Sequence, residues 1–201
     1  MPREIFEKSI AIAKDKGVII TIGGGEPTLH SLFKSYLAHA VWELAGVSAE
    51  LGMPAVHMVT NGSNTELALN LAKLAKRGII SCSVSHDQYH DSIEDIVIQA
   101  FKKESTYGSR GDDNDCRGIN DEQRYIIPVG RAKGWGNHPK VKCACDAVFI
   151  KPDGRVYPCG CRKTCIGNIM NDSLDIKYEY FDGNCENSKE YKNVKKELEL
   201  A

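Results

Sequence analysis

Residues 18–30, VIITIGGGEPTLH, join a run rich in β-branched residues to three consecutive glycines, followed by Glu26 and Pro27. β-branched residues favour strands, and glycine allows the backbone to turn with positive φ and to approach a ligand closely. Glu26 adds two carboxylate oxygens that can accept hydrogen bonds from a cationic amine. The stretch therefore predicts a strand that ends in a ligand-binding loop.

Helix and strand patterns alternate on both sides of this loop. Apolar residues recur at helical spacing in residues 2–16, 31–46, 63–77 and 92–101, and strand-like runs occupy residues 18–22, 55–60, 79–84 and 125–129. We expect Ser63 and Glu66 to form a capping box, and Cys82 to lie in the core. Repeated strand–helix units with short loops predict an α/β fold with a parallel sheet.

The pattern changes after residue 104. Residues 105–123 are polar and rich in glycine, which predicts a loop. Residues 146–159, DAVFIKPDGRVYPC, alternate around a Pro-Asp-Gly turn signal and predict a β-hairpin. We therefore expect a partial α/β barrel or open sheet over residues 1–138, followed by a small cysteine-rich hairpin domain over residues 139–201.

Composition and charge exclude several classes of protein. Lys and Arg number 26 against 27 Asp and Glu, so no overall field favours nucleic acid or a membrane surface. No run approaches the roughly 18 apolar residues of a membrane helix, and the charged N-terminal segment does not resemble a signal peptide. We expect a cytoplasmic protein with neither nucleic acid nor membrane as a partner.

Eight cysteines in such a chain require an explanation. In a reducing compartment, clustered cysteines indicate metal or cluster ligation before disulfides. A zinc ion and an iron–sulfur cluster both accept a set of four thiolates, so the count alone leaves both open. The clustered set consists of Cys143, Cys145, Cys159, Cys161 and Cys165.

The order strand, Gly-Gly-Glu-Pro, helix resembles the second signature motif of radical S-adenosylmethionine (radical SAM) enzymes. Two later segments support the resemblance: residues 60–62, Thr-Asn-Gly, resemble the family's strand-end motif, and residues 85–91, SHDQYHD, resemble its Ser and Asp pair with a following aromatic residue. The resemblance implies a partial radical-SAM-type (β/α) barrel.

The resemblance also implies roles for individual residues. Gly24, Gly25 and Glu26 would bind the methionine amino group of S-adenosylmethionine. Thr60 and Asn61 would form the neighbouring strand end, while Ser85 and Asp87 would line the pocket wall. A glycine-punctuated loop at residues 130–136 would approach the adenine.

One family motif is absent from the sequence. The Cys-x3-Cys-x2-Cys segment, which in the family ligates the cluster that cleaves the cofactor to a deoxyadenosyl radical, does not occur in this chain. The chain resembles a family member that lacks its first strand and cluster loop. Activity of this chain alone is therefore in doubt.

The later cysteines resemble the auxiliary-cluster (SPASM or twitch) segments that follow many radical SAM barrels. Cys145, eight residues, Gly154, four residues and Cys159 match the start of such a segment, as does Ile-Gly-Asn-Ile at residues 166–169. The resemblance favours an iron–sulfur cluster on the five clustered cysteines, with zinc as the alternative.

The sequence thus predicts a radical SAM-type enzyme, or a fragment of one, acting on an unidentified small molecule or peptide. The alternative is a catalytically inactive or split half-barrel that binds a metal or a partner. An open strand edge has unpaired backbone N–H and C=O groups, so a strand of a partner chain could pair with it and complete the barrel.

Overall fold

The computed structural model describes residues 1–87, 90–102, 115–120, 148–157, 165–171 and 174. The chain divides into two compact units, one formed by Met1–Ser9 with Gln123–Ala201 and the other by Ile10–Glu122. The predicted boundary between residues 138 and 139 lies outside the described residues and stays a prediction.

The unit Ile10–Glu122 contains a four-stranded, all-parallel sheet. Its strands are β1 (Ile20–Ile22), β2 (Val56–Thr60), β3 (Ser81–Ser85) and β4 (Arg117–Asn120), and they lie side by side in chain order. Parallel crossovers are nearly always right-handed, so strands in sequential order place their connecting helices on one face. The predicted α/β class with a parallel sheet is confirmed.

The described part of the chain contains five α-helices. They are α1 (Arg3–Lys16), α2 (Phe33–Glu43), α3 (Ala45–Leu51), α4 (Thr65–Lys76) and α5 (Asp95–Phe101), with a 3-10 turn at Pro27–Leu29. The predicted face of α1 is buried at Phe6, Ile10 and Ala13. Cys82 is 1% exposed, which confirms its place in the core.

The helix predicted over residues 31–46 is instead two helices that meet at Leu44. Leu44 is fully buried, so the chain turns there while keeping this side chain in the core. The cap predicted at Ser63 is also wrong: Asn64 caps α4, and its Oδ1 accepts a hydrogen bond from the Leu67 N–H at 3.1 Å. Both residue types are good caps, and spacing alone did not choose between them.

The fourth strand also differs from the prediction. β4 lies within the predicted loop 105–123, whereas the predicted strand 125–129 lies outside the described residues. Hydrogen bonds rather than an apolar pattern fix β4, because the Arg117 guanidinium pairs with Asp115 at 2.6 Å and donates to the Ala100 carbonyl at 2.6 Å. The polar sequence Arg-Gly-Ile-Asn therefore forms a strand through its tertiary contacts.

The other unit contains a small antiparallel sheet. β5 (Phe149–Ile150) pairs with β6 (Arg155–Tyr157), which pairs with β7 (Gly167–Asn168). The predicted hairpin is therefore present, with its turn at Pro152 and Asp153. The Asn168 amide donates to the Asp153 carbonyl at 3.0 Å and ties the third strand to that turn. The cysteine-rich hairpin domain predicted over residues 139–201 stays a prediction as a whole, because four of its five clustered cysteines lie outside the described residues.

Within the part of the chain that the structure describes, no helix combines the length and the apolar character needed to cross a membrane.

Candidate functional site

The Glu26 carboxylate links the ends of two neighbouring strands. Its Oε1 accepts hydrogen bonds from the Thr28 N–H at 3.0 Å, the Thr28 hydroxyl at 2.6 Å and the Thr60 hydroxyl at 2.9 Å. Its Oε2 accepts one from the Asn61 N–H at 2.6 Å. Thr60 ends β2 and Asn61 follows it, so the predicted residues Glu26, Thr60 and Asn61 form one cluster.

Only a carboxylate satisfies this arrangement. Each oxygen of Glu26 accepts a backbone N–H, from Thr28 on one side and Asn61 on the other. A glutamine side chain has one carbonyl oxygen, so its amide nitrogen would face the second N–H. Glu26 therefore has a structural role, which the sequence interpretation did not foresee.

The two oxygens of the same carboxylate differ in how many hydrogen bonds they accept. A carboxylate has about four lone-pair positions, two on each oxygen. From the described residues, Oε2 accepts only the Asn61 N–H, whereas Oε1 accepts three donors. By this count, Oε2 has one acceptor position that no donor of the described residues uses.

The glycine loop before Glu26 is open. Gly24 has a φ of 120°, so it occupies a backbone region that other residues rarely adopt, and it is alone in this among the three glycines. A Cβ atom added at Gly24 or Gly25 would meet no atom of the described residues within 4 Å. The positive φ predicted for the loop is confirmed at Gly24, and the loop leaves space beside its backbone.

The strand-end motif at Thr60 is held by packing as well as by hydrogen bonds. Thr60 is 1% exposed, and its hydroxyl donates to Glu26 while accepting the Gly62 N–H at 3.1 Å. A Cβ atom at Gly62 would lie 3.0 Å from Ile93 Cδ1 and 3.1 Å from Val84 Cγ2. Since Gly62 also has a φ of 75°, packing and backbone conformation both explain this glycine.

Ser85 and Asp87 lie at the carboxyl end of β3, next to the end of β2. Thr60 is in register with Val84, so Ser85 follows at the same edge of the sheet. The Asp87 carboxylate contacts His90 Nδ1 at 2.7 Å within its own loop. Asp87 therefore has a partner within its own loop, and Glu26 has partners both in its own loop and at the end of β2.

A polar cluster that the sequence interpretation missed lies in the middle of the sheet. His57, a half-buried residue of β2, is at the centre of this cluster. Its Nδ1 lies 3.0 Å from the Ser81 hydroxyl, and its Nε2 lies 3.4 Å from the Ser83 hydroxyl. Burial lowers the pKa of His57, which favours the neutral imidazole. The alternation Ser-Cys-Ser-Val-Ser in β3 was the signal that could have revealed this face.

The surroundings of Cys82 do not suit a metal ligand. Burial, assisted by the negative charge of Glu26, raises the pKa of the Cys82 thiol to about 12. Metal ligation requires the thiolate, so this environment disfavours Cys82 as a ligand. Its side chain, on β3, is buried in the core.

The predicted metal ligands fall mostly outside the described residues: Cys143, Cys145, Cys159 and Cys161. Cys165 is exposed, and its thiol contacts the Gly167 carbonyl at 3.3 Å. The described ranges contain no group of three or more His, Cys, Asp or Glu side chains placed to hold a metal ion. Ligation by the clustered cysteines stays a prediction.

No family model, curated protein or solved structure matches this chain. The functional assignment therefore depends on the chemistry of the Glu26 loop and the sheet beside it.

Proposed function

We propose that this chain is a radical SAM-type protein whose Glu26 loop binds the amino group of S-adenosylmethionine. The observation that supports it is the Glu26 carboxylate, held by donors from its own loop and from the end of β2, with one acceptor position of Oε2 left for an amine. Ligands of open parallel sheets bind at the carboxyl ends of the strands, where this carboxylate lies.

The surrounding residues have distinct roles in this proposal. Gly24 and Gly25 allow the cofactor to approach the loop backbone, where the described residues leave space. Thr60 and the Asn61 N–H hold the carboxylate in position, while Ser85 and Asp87 form the wall at the next strand end. In the family, S-adenosylmethionine would supply a hydrogen-abstracting radical after one-electron reduction by the cluster of the Cys-x3-Cys-x2-Cys motif, which is absent from this sequence, so that electron would have to come from a cluster supplied by a partner chain.

The clustered cysteines belong to the same proposal. Five cysteines between residues 143 and 165 would hold an auxiliary iron–sulfur cluster, with zinc as the alternative metal. Unpaired thiols and a cluster suit the reducing cytoplasm, where we place the protein. The substrate is an unidentified small molecule or peptide.

Metal analysis tests the cluster. Anaerobically purified protein is expected to contain iron and acid-labile sulfide in comparable amounts, and Cys161→Ser should abolish both. Cys116→Ser is the matched control, since Cys116 immediately precedes β4 and belongs to the other unit. Stoichiometric zinc without sulfide would reject the cluster in favour of a structural zinc site.

Calorimetric titration tests the cofactor site. S-adenosylmethionine should bind the full chain about ten- to a hundredfold more tightly than methylthioadenosine, which lacks the amino group, because a charge-assisted hydrogen bond contributes about 1.5–3 kcal/mol. Equal affinity for the two ligands, or no binding of either, would contradict the proposal.

A pair of glycine variants tests the position of the ligand. Gly25→Ala adds a methyl group in open space, so it should leave the fold intact but weaken S-adenosylmethionine binding. Gly46→Ala, in the exposed part of α3, adds the same group away from the site and should change nothing. Equal affinities of the two variants would place the ligand elsewhere.

A partner-binding half-barrel is the second candidate function. β1 is the terminal strand of the described sheet, and Thr21 at its centre is exposed. A partner strand could therefore pair with β1. Light scattering distinguishes the two functions: a monomer that binds S-adenosylmethionine supports the first, while a stable assembly without cofactor binding supports the second.

A further inference from the structure

A histidine and a carboxylate contact each other in the loop after β3. His90 Nδ1 lies 2.7 Å from Asp87 Oδ1, and the His90 N–H donates to the Asp87 carbonyl at 3.2 Å. The Asp87 side chain is 16% exposed and that of His90 is 36% exposed. Two hydrogen bonds therefore hold the ring to its loop, while part of the ring stays accessible.

The carboxylate determines which ring nitrogen of His90 is protonated. An ionised carboxylate only accepts hydrogen bonds, so Nδ1 carries the proton. In the neutral ring, Nε2 then keeps its lone pair, and no hydrogen bond among the described residues uses it. The second nitrogen of His90 is therefore an acceptor.

His30, which follows the Glu26 loop, has the opposite arrangement. Its Nδ1 accepts a hydrogen bond from the Leu32 N–H at 3.1 Å, so in the neutral ring Nε2 carries the proton. Its ring also stacks on Tyr36, with the ring centroids 5.3 Å apart. Of these two histidines, only His90 has its Nε2 lone pair ready to take a proton.

The segment that carries the pair lies next to the end of β2. It begins after Ser85, the last residue of β3, which lies beside that end. Further along the segment, Ile93 Cδ1 is 3.0 Å from the position that a Cβ atom of Gly62 would occupy. Gly62 directly follows Asn61, whose N–H donates to Glu26. The segment is therefore anchored on both sides of the pair beside the residues that hold Glu26.

We infer that His90 is a catalytic base of the Glu26 site, and that Asp87 is the positioning residue that keeps its ring in the reactive tautomer. The inference rests on the proposed function in taking a ligand held at that site as the proton donor. In the transfer, the Nε2 lone pair forms an N–H bond with the proton, and the electrons of the broken bond stay on the ligand. The Asp87 carboxylate stabilises the imidazolium that results.

The tautomer is the first test. Ring-nitrogen NMR spectra of the full chain are recorded without cofactor in mildly alkaline buffer, where imidazole is neutral. We expect a protonated Nδ1 and an unprotonated Nε2 in His90, and the reverse in His30. A protonated Nε2 in neutral His90 would overturn the inference.

Acylation tests whether Asp87 makes Nε2 reactive. Diethyl pyrocarbonate acylates an imidazole nitrogen that carries a lone pair, and mass spectrometry follows each histidine separately. Asp87→Asn should slow the acylation of His90 about two- to tenfold, as expected for one lost hydrogen bond. His39, on α2, is the internal control and should react at the same rate in both proteins. An unchanged rate at His90 would overturn the role of Asp87.

Protection by the cofactor tests the position of the base. S-adenosylmethionine bound at Glu26 occupies the edge beside this segment, so it should slow the acylation of His90 and leave His39 unchanged. Saturable binding without protection of His90 would overturn the inference and leave the Glu26 site intact. No binding at all would reject the proposed function, whereas the tautomer and the acylation rates decide on His90 without the cofactor.

Discussion

The sequence predicts that the carboxylates of Glu26 and Asp87 both belong to a cofactor pocket, yet their contacts in the structure differ. Glu26 accepts donors from its own loop and from a strand more than thirty residues away, whereas Asp87 pairs with His90 three positions along the chain. The hydrogen bonds of Glu26 hold its loop against the end of β2. The contact between Asp87 and His90 lies within a single loop.

The difference shows that two carboxylates from similar motifs can contribute unequally to the stability of the fold. A carboxylate that joins distant strands fixes the geometry of the edge, so its loss affects both folding and binding. The contact of Asp87 with the partly exposed His90 lies within one loop, so we expect it to contribute about 0–1 kcal/mol. The following changes test that contrast.

Removing Glu26 should have the largest effect. Glu26→Ala leaves two backbone N–H groups and two hydroxyls without their acceptor, so we expect a loss of about 2–4 kcal/mol in the free energy of unfolding. Chemical denaturation provides the measurement. Glu26→Gln should also lower the free energy of unfolding, but by less than Glu26→Ala, because its carbonyl oxygen accepts only one of the two N–H groups. An Ala variant as stable as the parent would refute the role of Glu26 in joining the strands.

Replacing Thr60 tests the other side of the same contact. Thr60→Val keeps the shape but removes the hydroxyl that donates to Glu26 and accepts from the Gly62 N–H, which should cost about 1–2 kcal/mol of stability. Thr65→Val is the control, since the Thr65 hydroxyl contacts Glu94 at an exposed position. If both variants lost the same free energy of unfolding, the Thr60 hydroxyl would contribute no more to stability than an exposed one.

These contacts also indicate how much the sequence could predict. The alternation of patterns located β1, β2 and β3, and motif resemblance selected Glu26, Thr60 and Asn61. Local patterns carry no information on which donors surround a carboxylate, so the joining of strand ends by Glu26 was not predicted.

β4 and His57 were missed for a related reason. The β4 backbone is fixed by contacts of Cys116 and Arg117 with distant parts of the chain, while its own sequence is polar. His57 acquires its partners only when β2 and β3 pair, and no property of the isolated histidine distinguishes it from the others. Both features depend on tertiary register.

Acidification extends the comparison to His57. Its folded-state pKa is lowered by burial, so below the ordinary value of about 6.5 the unfolded chain binds more protons than the folded one. Stability should therefore fall as the pH decreases from about 7.5 to about 5.5, and less steeply in His57→Gln. Denaturation midpoints across this range provide the measurement, and identical slopes in the two proteins would contradict the buried, neutral imidazole.

The smallest effect is expected at Asp87. Asp87→Asn keeps the size of the side chain, and the contact with the partly exposed His90 that it weakens should account for less than about 1 kcal/mol of stability. Binding of S-adenosylmethionine should change far less than in a Glu26 variant, as measured by calorimetry. A loss comparable to that of Glu26→Gln would remove the distinction between the two carboxylates.

The most direct test follows the Thr28 and Asn61 backbone amides by NMR while S-adenosylmethionine is added to the parent protein. Both amides donate to Glu26, and Asn61 donates to the oxygen that has room for the ligand amine. We expect the Asn61 amide to shift strongly, Thr28 less, and neither with methylthioadenosine. Saturable binding of S-adenosylmethionine that leaves both amides unperturbed would contradict the assignment of Glu26 as the residue that binds the cofactor's amino group.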